Sequence, residues 1–194
     1  LYLCTGERGI GKSYAFKKFP IDQFKKNGTQ FFYIRRYKGE LKRIKNYFED
    51  IKEKYPNDKL VVKGWTFYCN DEIMGYAMPL SQYQELKSNA FPKCDIIIFD
   101  EFLREKVGSV GYLKDEVNIF MSLCDTIFRK RKGTRAFLLS NSISVVNPYY
   151  LEFSITVERG KQYTLPNDPV YRDFVVSEFT DGMYKQDYEE MSPF

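Results

Sequence analysis

Gly6-Glu7-Arg8-Gly9-Ile10-Gly11-Lys12-Ser13 satisfies every fixed position of the phosphate-binding pattern G-x-x-x-x-G-K-[ST]. Glycines let the backbone take positive φ and turn its N–H groups toward an anion, and the positive end of a following helix would face the phosphates. Lys12 would then reach the β- and γ-phosphates, and the Ser13 hydroxyl would ligate Mg²⁺. A glycine-rich surface turn that happens to precede a lysine is the alternative. Asp100 and Glu101 stand directly after the apolar run Ile96-Ile97-Ile98-Phe99. There Asp100 can hold Mg²⁺ through water, and Glu101 can polarise a water for in-line attack on a γ-phosphate, a service that simple kinases do not require. A strand-end capping carboxylate is the competing account of Asp100. Ser140-Asn141 closes another apolar run and could sense the γ-phosphate or orient the attacking water, or be a turn former. Arg129, near the end of a core-facing helix, could supply charge to a neighbouring subunit's phosphates, although the residue pattern alone favours helix C-terminal capping.

These residues need elements to position them. Leu1 to Cys4 reads as a strand already under way at the first residue, and Lys12 to Phe19 as a helix that Pro20 should end. Gln30 to Arg35 is an aromatic and β-branched strand with a charged end. Leu41, Ile44, Tyr47, Phe48 and Ile51 lie on one face of an amphipathic helix expected over Glu40 to Tyr55. From 60 to 79 the pattern alternates and predicts an inserted β-hairpin with a turn at Asn70-Asp71-Glu72. Ser81 is expected to cap a short helix reaching Leu86. Ile96 to Phe99 is uninterrupted, as in a parallel strand covered on both faces. A loop over 107–113 with two glycines reads as mobile, a helix over Asp115 to Arg131 should dock on the sheet, and Gly133 should break it. Ala136 to Leu139 follows as a strand, and Asn147-Pro148 starts a turn or short helix. Phe153 to Val157, Gln162 to Leu165 and Phe174 to Val176 are weaker strand candidates. Beyond Thr180 the chain is polar and reads as a frayed end or linker.

With 194 residues the chain suits one α/β domain. Seventeen Phe and 16 Tyr point to core and subunit contacts. The absence of histidine excludes imidazole-dependent triads and metal sites. Cys4, Cys69, Cys94 and Cys124 form no C-x-x-C pair and read as buried thiols in a reducing cytosol. No apolar run approaches a membrane span, so a soluble intracellular protein is expected. The net charge is +4, but cations cluster in Arg35-Arg36-Tyr37-Lys38 and in Arg129-Lys130-Arg131-Lys132. Such clusters could meet a polyanion; for the first, a solvated helix face balanced by Glu40, Glu49, Asp50 and Glu53 is equally open.

Taken in order, several blocks resemble the genome-packaging ATPase of small podophages that use protein-primed replication. They are the Gly6–Ala15 loop, Phe32-Tyr33-Ile34-Arg35-Arg36-Tyr37-Lys38, Leu60 to Gly64, Lys87-Ser88-Asn89-Ala90, Phe99 to Phe102 with Arg104-Glu105-Lys106, Asp125 to Arg129, and Leu139 to Asn141 through Tyr149. The resemblance runs through most of the chain. It implies an α/β P-loop NTPase of the additional-strand (RecA/ASCE-like) type, with a mainly parallel central sheet flanked by helices, over residues 1–180. Residues 181–194 would be a tail or the start of a linker to an absent nuclease-like domain. ATP and Mg²⁺ are the implied cofactors. Gly6, Glu7, Arg8, Gly9, Ile10, Gly11, Lys12, Ser13 and Tyr14 would bind nucleotide together with Asp100 and Asn141; Ser13 and Asp100 would hold the metal. Glu101, Lys12 and Arg129 would be catalytic, Arg129 as an arginine finger acting in trans, with Ser140 and Asn141 in the coupling motif. Lys38 and Lys87 match basic residues expected near the subunit boundary or the DNA. The implied partners are double-stranded DNA, a viral prohead and its portal, scaffold RNA, and further copies in a ring, a pentamer when full length; the implied place is the host cytoplasm and, transiently, the portal vertex. A nucleotide kinase and an ATP-dependent switch with little hydrolysis share the loop, and Glu101 argues against the first.

Overall fold

The computed structural model describes residues 1–104, 111–141, 146–156, 162–165 and 174–179. Among these residues nine strands form a single sheet: β1 (Tyr2–Gly6), β2 (Gln30–Arg35), β3 (Leu60–Lys63), β4 (Thr66–Cys69), β5 (Glu72–Pro79), β6 (Cys94–Asp100), β7 (Arg135–Asn141), β8 (Gln162–Leu165) and β9 (Phe174–Phe179). Their order is β3-β4-β5-β2-β6-β7-β1-β9-β8. The run from β5 to β9 is parallel throughout, and β3, β4 and β8 add antiparallel margins. The chain is thus mixed α/β with a mostly parallel sheet. Strand β7 lies between β1, which leads into the glycine loop, and β6, which ends in Asp100.

Both faces of the central strands are covered, which is why their sequences read as continuous apolar runs. Leu3, Phe32, Ile34, Ile97, Phe99 and Leu138 pack with helices α2 (Glu116–Phe128) and α3 (Pro148–Glu152). Cys4, Phe31, Ile96, Ile98, Phe137 and Leu139 face the other way, toward helix α1 (Lys12–Asn27) and the segment 41–55. Asn147 caps α3 by accepting from the Tyr150 N–H at 3.0 Å, with Pro148 at the first helical position. The four cysteines are buried and free, as expected. No helix among the described residues is long and apolar enough to cross a membrane.

Several local expectations are corrected. Helix α1 does not stop at Pro20 but continues to Asn27, where Gly28 at φ 75° closes it by donating to the Phe24 carbonyl. Proline removes one helical donor, and burial of Phe19, Pro20 and Ile21 offsets that loss. The helix expected over Glu40 to Tyr55 is instead three 3₁₀ turns, Lys38–Leu41, Ile44–Asn46 and Lys52–Lys54. Leu41, Ile44 and Tyr47 repeat every third residue, which stacks side chains in a 3₁₀ rather than an α geometry. The hairpin expected over 60–79 is present, β4 turning into β5 at Asn70-Asp71, and it is continuous with the central sheet. Asn70 and Asp71 both have positive φ, as a type I′ turn requires, and β5 leaves that turn to pair in parallel with β2. Ser81 caps nothing, because the 3₁₀ segment Leu80–Leu86 starts after extended Pro79. Helix α2 ends at left-handed Arg129 before Gly133 is reached. Residues 153–156 form no strand but finish the turn that donates Phe153 and Ile155 N–H groups to the carbonyls of Tyr149 and Tyr150. Residues 105–110, most of the expected mobile loop, and those after 179 lie outside the described residues.

Gly75 shows how closely the β5–β2 seam is packed. A Cβ there would lie 2.5 Å from the Phe31 carbonyl oxygen and 2.6 Å from its ring. Alanine in a strand is ordinarily better than glycine, but here the crowded atom is backbone and cannot yield. Gly75→Ala is expected to destabilise the fold by about 1–3 kcal/mol. Urea denaturation checks this; a stabilised variant would contradict the packing.

Candidate active site

At the carboxyl ends of β1, β7 and β6 a cleft of about 490 Å³ is lined by Arg8, Gly9, Gly11, Lys12, Ser13, Tyr14, Asp100, Glu101, Leu139, Ser140 and Asn141. Residues far apart in sequence meet here because the parallel strands end level: Gly6 pairs with Asn141, and Asp100 with Leu139. Open α/β sheets bind ligands at this edge. Gly9 and Gly11 take φ of 81° and 86°, so the loop curls before α1 begins. No acidic residue occupies the first turn of α1, so the positive end of that helix is not neutralised.

Lys12 is buried, and its Nζ donates to the carbonyl oxygens of Gly6 at 2.9 Å and Glu7 at 2.6 Å. Burial lowers its pKa, while Asp100 pulls in the opposite direction. Gly6, Glu7 and Ile10 do not line the cleft; two of them supply those carbonyls, and Ile10 is buried behind the loop. Tyr14 lines the wall, with the Lys54 ammonium 5.4 Å from its ring centre.

Asp100 accepts from the Tyr33 hydroxyl at 2.7 Å and from Arg35 Nη1 at 3.2 Å. Burial first, and then Asp100, pushes the Tyr33 phenol well above its ordinary range, which keeps it a donor. The same guanidinium reaches Glu101, with Nη2 at 2.5 Å from Oε2. Glu101 itself is left-handed, φ 59°. Ser140 Oγ is buried and has no hydrogen-bond partner among the described residues. An orphaned hydroxyl beside a lysine satisfied only by its own loop suits a polar, anionic ligand.

The donor set also suits Mg²⁺. Among the described residues no three His, Cys, Asp or Glu side chains form a metal cage. Ser13 and Asp100 offer one hydroxyl and one carboxylate at the cleft, and magnesium with its waters is commonly held by so few protein ligands together with substrate phosphates.

Arg129 is not brought into this cleft. It is exposed at the C-terminus of α2, before β7 begins and so at the opposite edge of the sheet, and its Nη2 donates to the Asn89 carbonyl at 2.8 Å. In the same basic cluster Arg131 is structural, bound to Asp95 and to the carbonyls of Phe91 and Cys94. Lys38 lies over the Trp65 ring and Lys87 over Tyr83, both away from the cleft.

The family model for the podovirus DNA encapsidation protein (Gp16) matches residues 1–189. The chain belongs to that family. The DNA packaging protein of Bacillus phage phi29 is 48% identical over 168 residues, covering 87% of this chain and 50% of that protein. The chain therefore spans about half the length of this relative. The crystal structure of the N-terminal domain of the DNA packaging ATPase from bacteriophage phi29 superposes with a TM-score of 0.82 at 45% identity, covering 92% of this chain and 89% of that one. The corresponding chain of the phi29 viral genome packaging motor assembly gives 0.80 at 44% identity, over 92% of this chain and 53% of that one. At family level the chain is thus related to packaging ATPase domains.

Sequence reasoning missed a second set of groups in this chain. Arg35 and Arg36 were open to reading as solvated or polyanion-facing cations, yet both turn inward. Arg36 is 1% exposed and forms a fork with Glu116, Nε to Oε2 at 2.7 Å and Nη2 to Oε1 at 2.8 Å. Tyr149 donates to Glu116 Oε1 at 2.8 Å, and the Leu113 N–H donates to Oε2 at 2.8 Å. The available signal was two arginines directly after an apolar strand, where consecutive residues point to opposite faces. Neither side chain of the Arg36–Glu116 pair is exposed. Glu116→Ala would leave a buried guanidinium uncompensated and should cost about 3–5 kcal/mol, measured as a lower urea midpoint.

Proposed function

We propose that this chain is the ATP-hydrolysing motor domain of a machine that packages double-stranded viral DNA into a prohead. One observation carries the reading: Lys12, Ser13, Asp100, Glu101 and Asn141 converge on one cleft in a member of the podovirus encapsidation family. The position of β7 between β1 and β6 supports an additional-strand P-loop NTPase.

In this reading the glycine loop and the start of α1 cradle the phosphates, and Lys12 exchanges loop carbonyls for β- and γ-phosphate oxygens. Ser13 and Asp100 would hold Mg²⁺, which supplies charge neutralisation for the phosphates. Tyr33 and Arg35 fix the Asp100 carboxylate. Glu101 accepts a proton from a water attacking the γ-phosphorus in line. The bond from that phosphorus to the β–γ bridging oxygen breaks, and ADP and phosphate leave. Glu101 must leave Arg35 Nη2 to reach such a water. Ser140 and Asn141 orient the water or sense the γ-phosphate.

Arg129 fits a role in trans, since it stands outside its own cleft and is exposed. In this reading the chain works in a homo-oligomeric ring at the portal vertex in the host cytoplasm, with double-stranded DNA and scaffold RNA as partners; the likeness to a chain of the phi29 packaging motor assembly supports the assembly. Residues 1–180 form the ATPase unit in this reading.

Glu101→Gln is expected to keep ATP affinity while lowering phosphate release by about 10²-fold or more. Nucleotide titration and a phosphate-release assay check this, and normal turnover would remove the catalytic assignment. Arg129→Ala should bind nucleotide yet, mixed into rings with the unaltered protein, depress turnover beyond its share of subunits; strictly proportional activity would contradict action in trans.

A further inference from the structure

We infer that Arg36 is a positioning residue for hydrolysis, holding the Glu101–Phe102 backbone so that the Glu101 carboxylate stays at the cleft. This rests on the reading of Glu101 as the general base. Glu101 adopts φ 59°, a conformation that a β-carbon disfavours and that surrounding contacts must maintain. Two of these contacts come from one side chain. Arg36 Nη1 donates to the Glu101 carbonyl at 3.1 Å and Nη2 to the Phe102 carbonyl at 2.6 Å. On the other side of this turn the Phe102 N–H donates to the Leu139 carbonyl at 3.1 Å, which ties it to β7.

Arg36 is itself fixed in place. Its fork engages Glu116 through both oxygens, and Glu116 is held in turn by the Tyr149 hydroxyl and the Leu113 N–H. The guanidinium carbon sits 5.4 Å from the Phe99 ring centre and 5.0 Å from that of Tyr112. Arg36 does not line the cleft, so any effect on chemistry must pass through Glu101. A planar fork with five donors can serve a carboxylate and two carbonyls together, whereas the compact lysine ammonium cannot. Lysine would keep the charge opposite Glu116 and give up the hold on the backbone.

The test uses the intact protein, with steady-state ATPase kinetics and the affinity for a fluorescent ATP analogue. Arg36→Lys should lower kcat by about 10–100-fold, the effect of misplacing a catalytic group by a fraction of an ångström to an ångström, with KM and analogue affinity unchanged. Tyr149→Phe keeps the ring and removes only the hydroxyl that steadies Glu116; it should lower kcat in the same direction by a smaller factor, again with KM unchanged. A folded Arg36→Lys protein that turns over at the normal rate overturns the proposal, and normal turnover of Tyr149→Phe does so if the lysine variant does not fold. Glu101→Gln separates the two readings. If it turns over normally, the base assignment falls and this proposal with it; if it is inactive while Arg36→Lys is fully active, only the positioning role falls.

Discussion

The site depends on the level, parallel pairing of β1, β7, β6 and β2. Thr5 is opposite Ser140, Phe99 opposite Leu138, and Ile34 opposite Phe99, so Gly6, Asn141, Asp100 and Arg35 all close their strands at one edge. Both faces of these strands are buried in apolar contacts, which leaves the carboxyl edge as the place where loops can present polar groups. A slip of one residue in β6 would send Asp100 to the α2 face and bring Phe99 to the α1 face. The same register that buries Ile96 and Ile98 against the α1 side therefore also aims the carboxylate.

Within that frame the charges are closely matched. Lys12 spends its protons on two neutral carbonyls, and burial disfavours its charge. A phosphate in their place would put an ionised acceptor opposite the ionised donor, so the arrangement has a built-in preference for an anion. Asp100 and Glu101 would repel that anion if left bare. Arg35, in contact with both carboxylates, tempers that repulsion, and burial of its own charge is outweighed by Tyr33, Asp100 and Glu101, which hold its pKa above the ordinary arginine value.

What was legible in the sequence was local. The glycine loop, the Asp100-Glu101 pair and Ser140-Asn141 each sit beside an unmistakable strand, and strand-then-polar-residue is a contiguous pattern. The central strands were readable for the same reason. The segment 41–55 was not, because spacings of three and four mix, and hydrophobic periodicity does not separate 3₁₀ turns from an α-helix over so short a stretch. Pro20 misled because its cost is local while the burial that offsets it is tertiary. Arg35 and Arg36 were beyond reach for a different reason: Glu116 is 80 residues from Arg36 and Glu101 is 66 from Arg35, and only the strand order brings them together. The podovirus kinship, by contrast, was carried by blocks spread through most of the chain.

Those two arginines divide one task between the faces of the sheet. Tyr33 and Arg35 follow Phe31 on the α1 side, while Arg36 follows Phe32 and Ile34 on the α2 side. Arg35 takes the Glu101 carboxylate, and Arg36 takes the Glu101 carbonyl. The first contact is half open to water at the glutamate, whose side chain is 57% exposed, so it can be exchanged for another partner at little cost. The second comes from a guanidinium that is itself buried and locked to Glu116, so it does not turn away. A side chain that can turn on a backbone that is held suits the base role proposed for Glu101, which would engage water only when the cleft is filled. Adjacent positions on a single strand supply both halves, because a strand points its successive side chains to opposite faces.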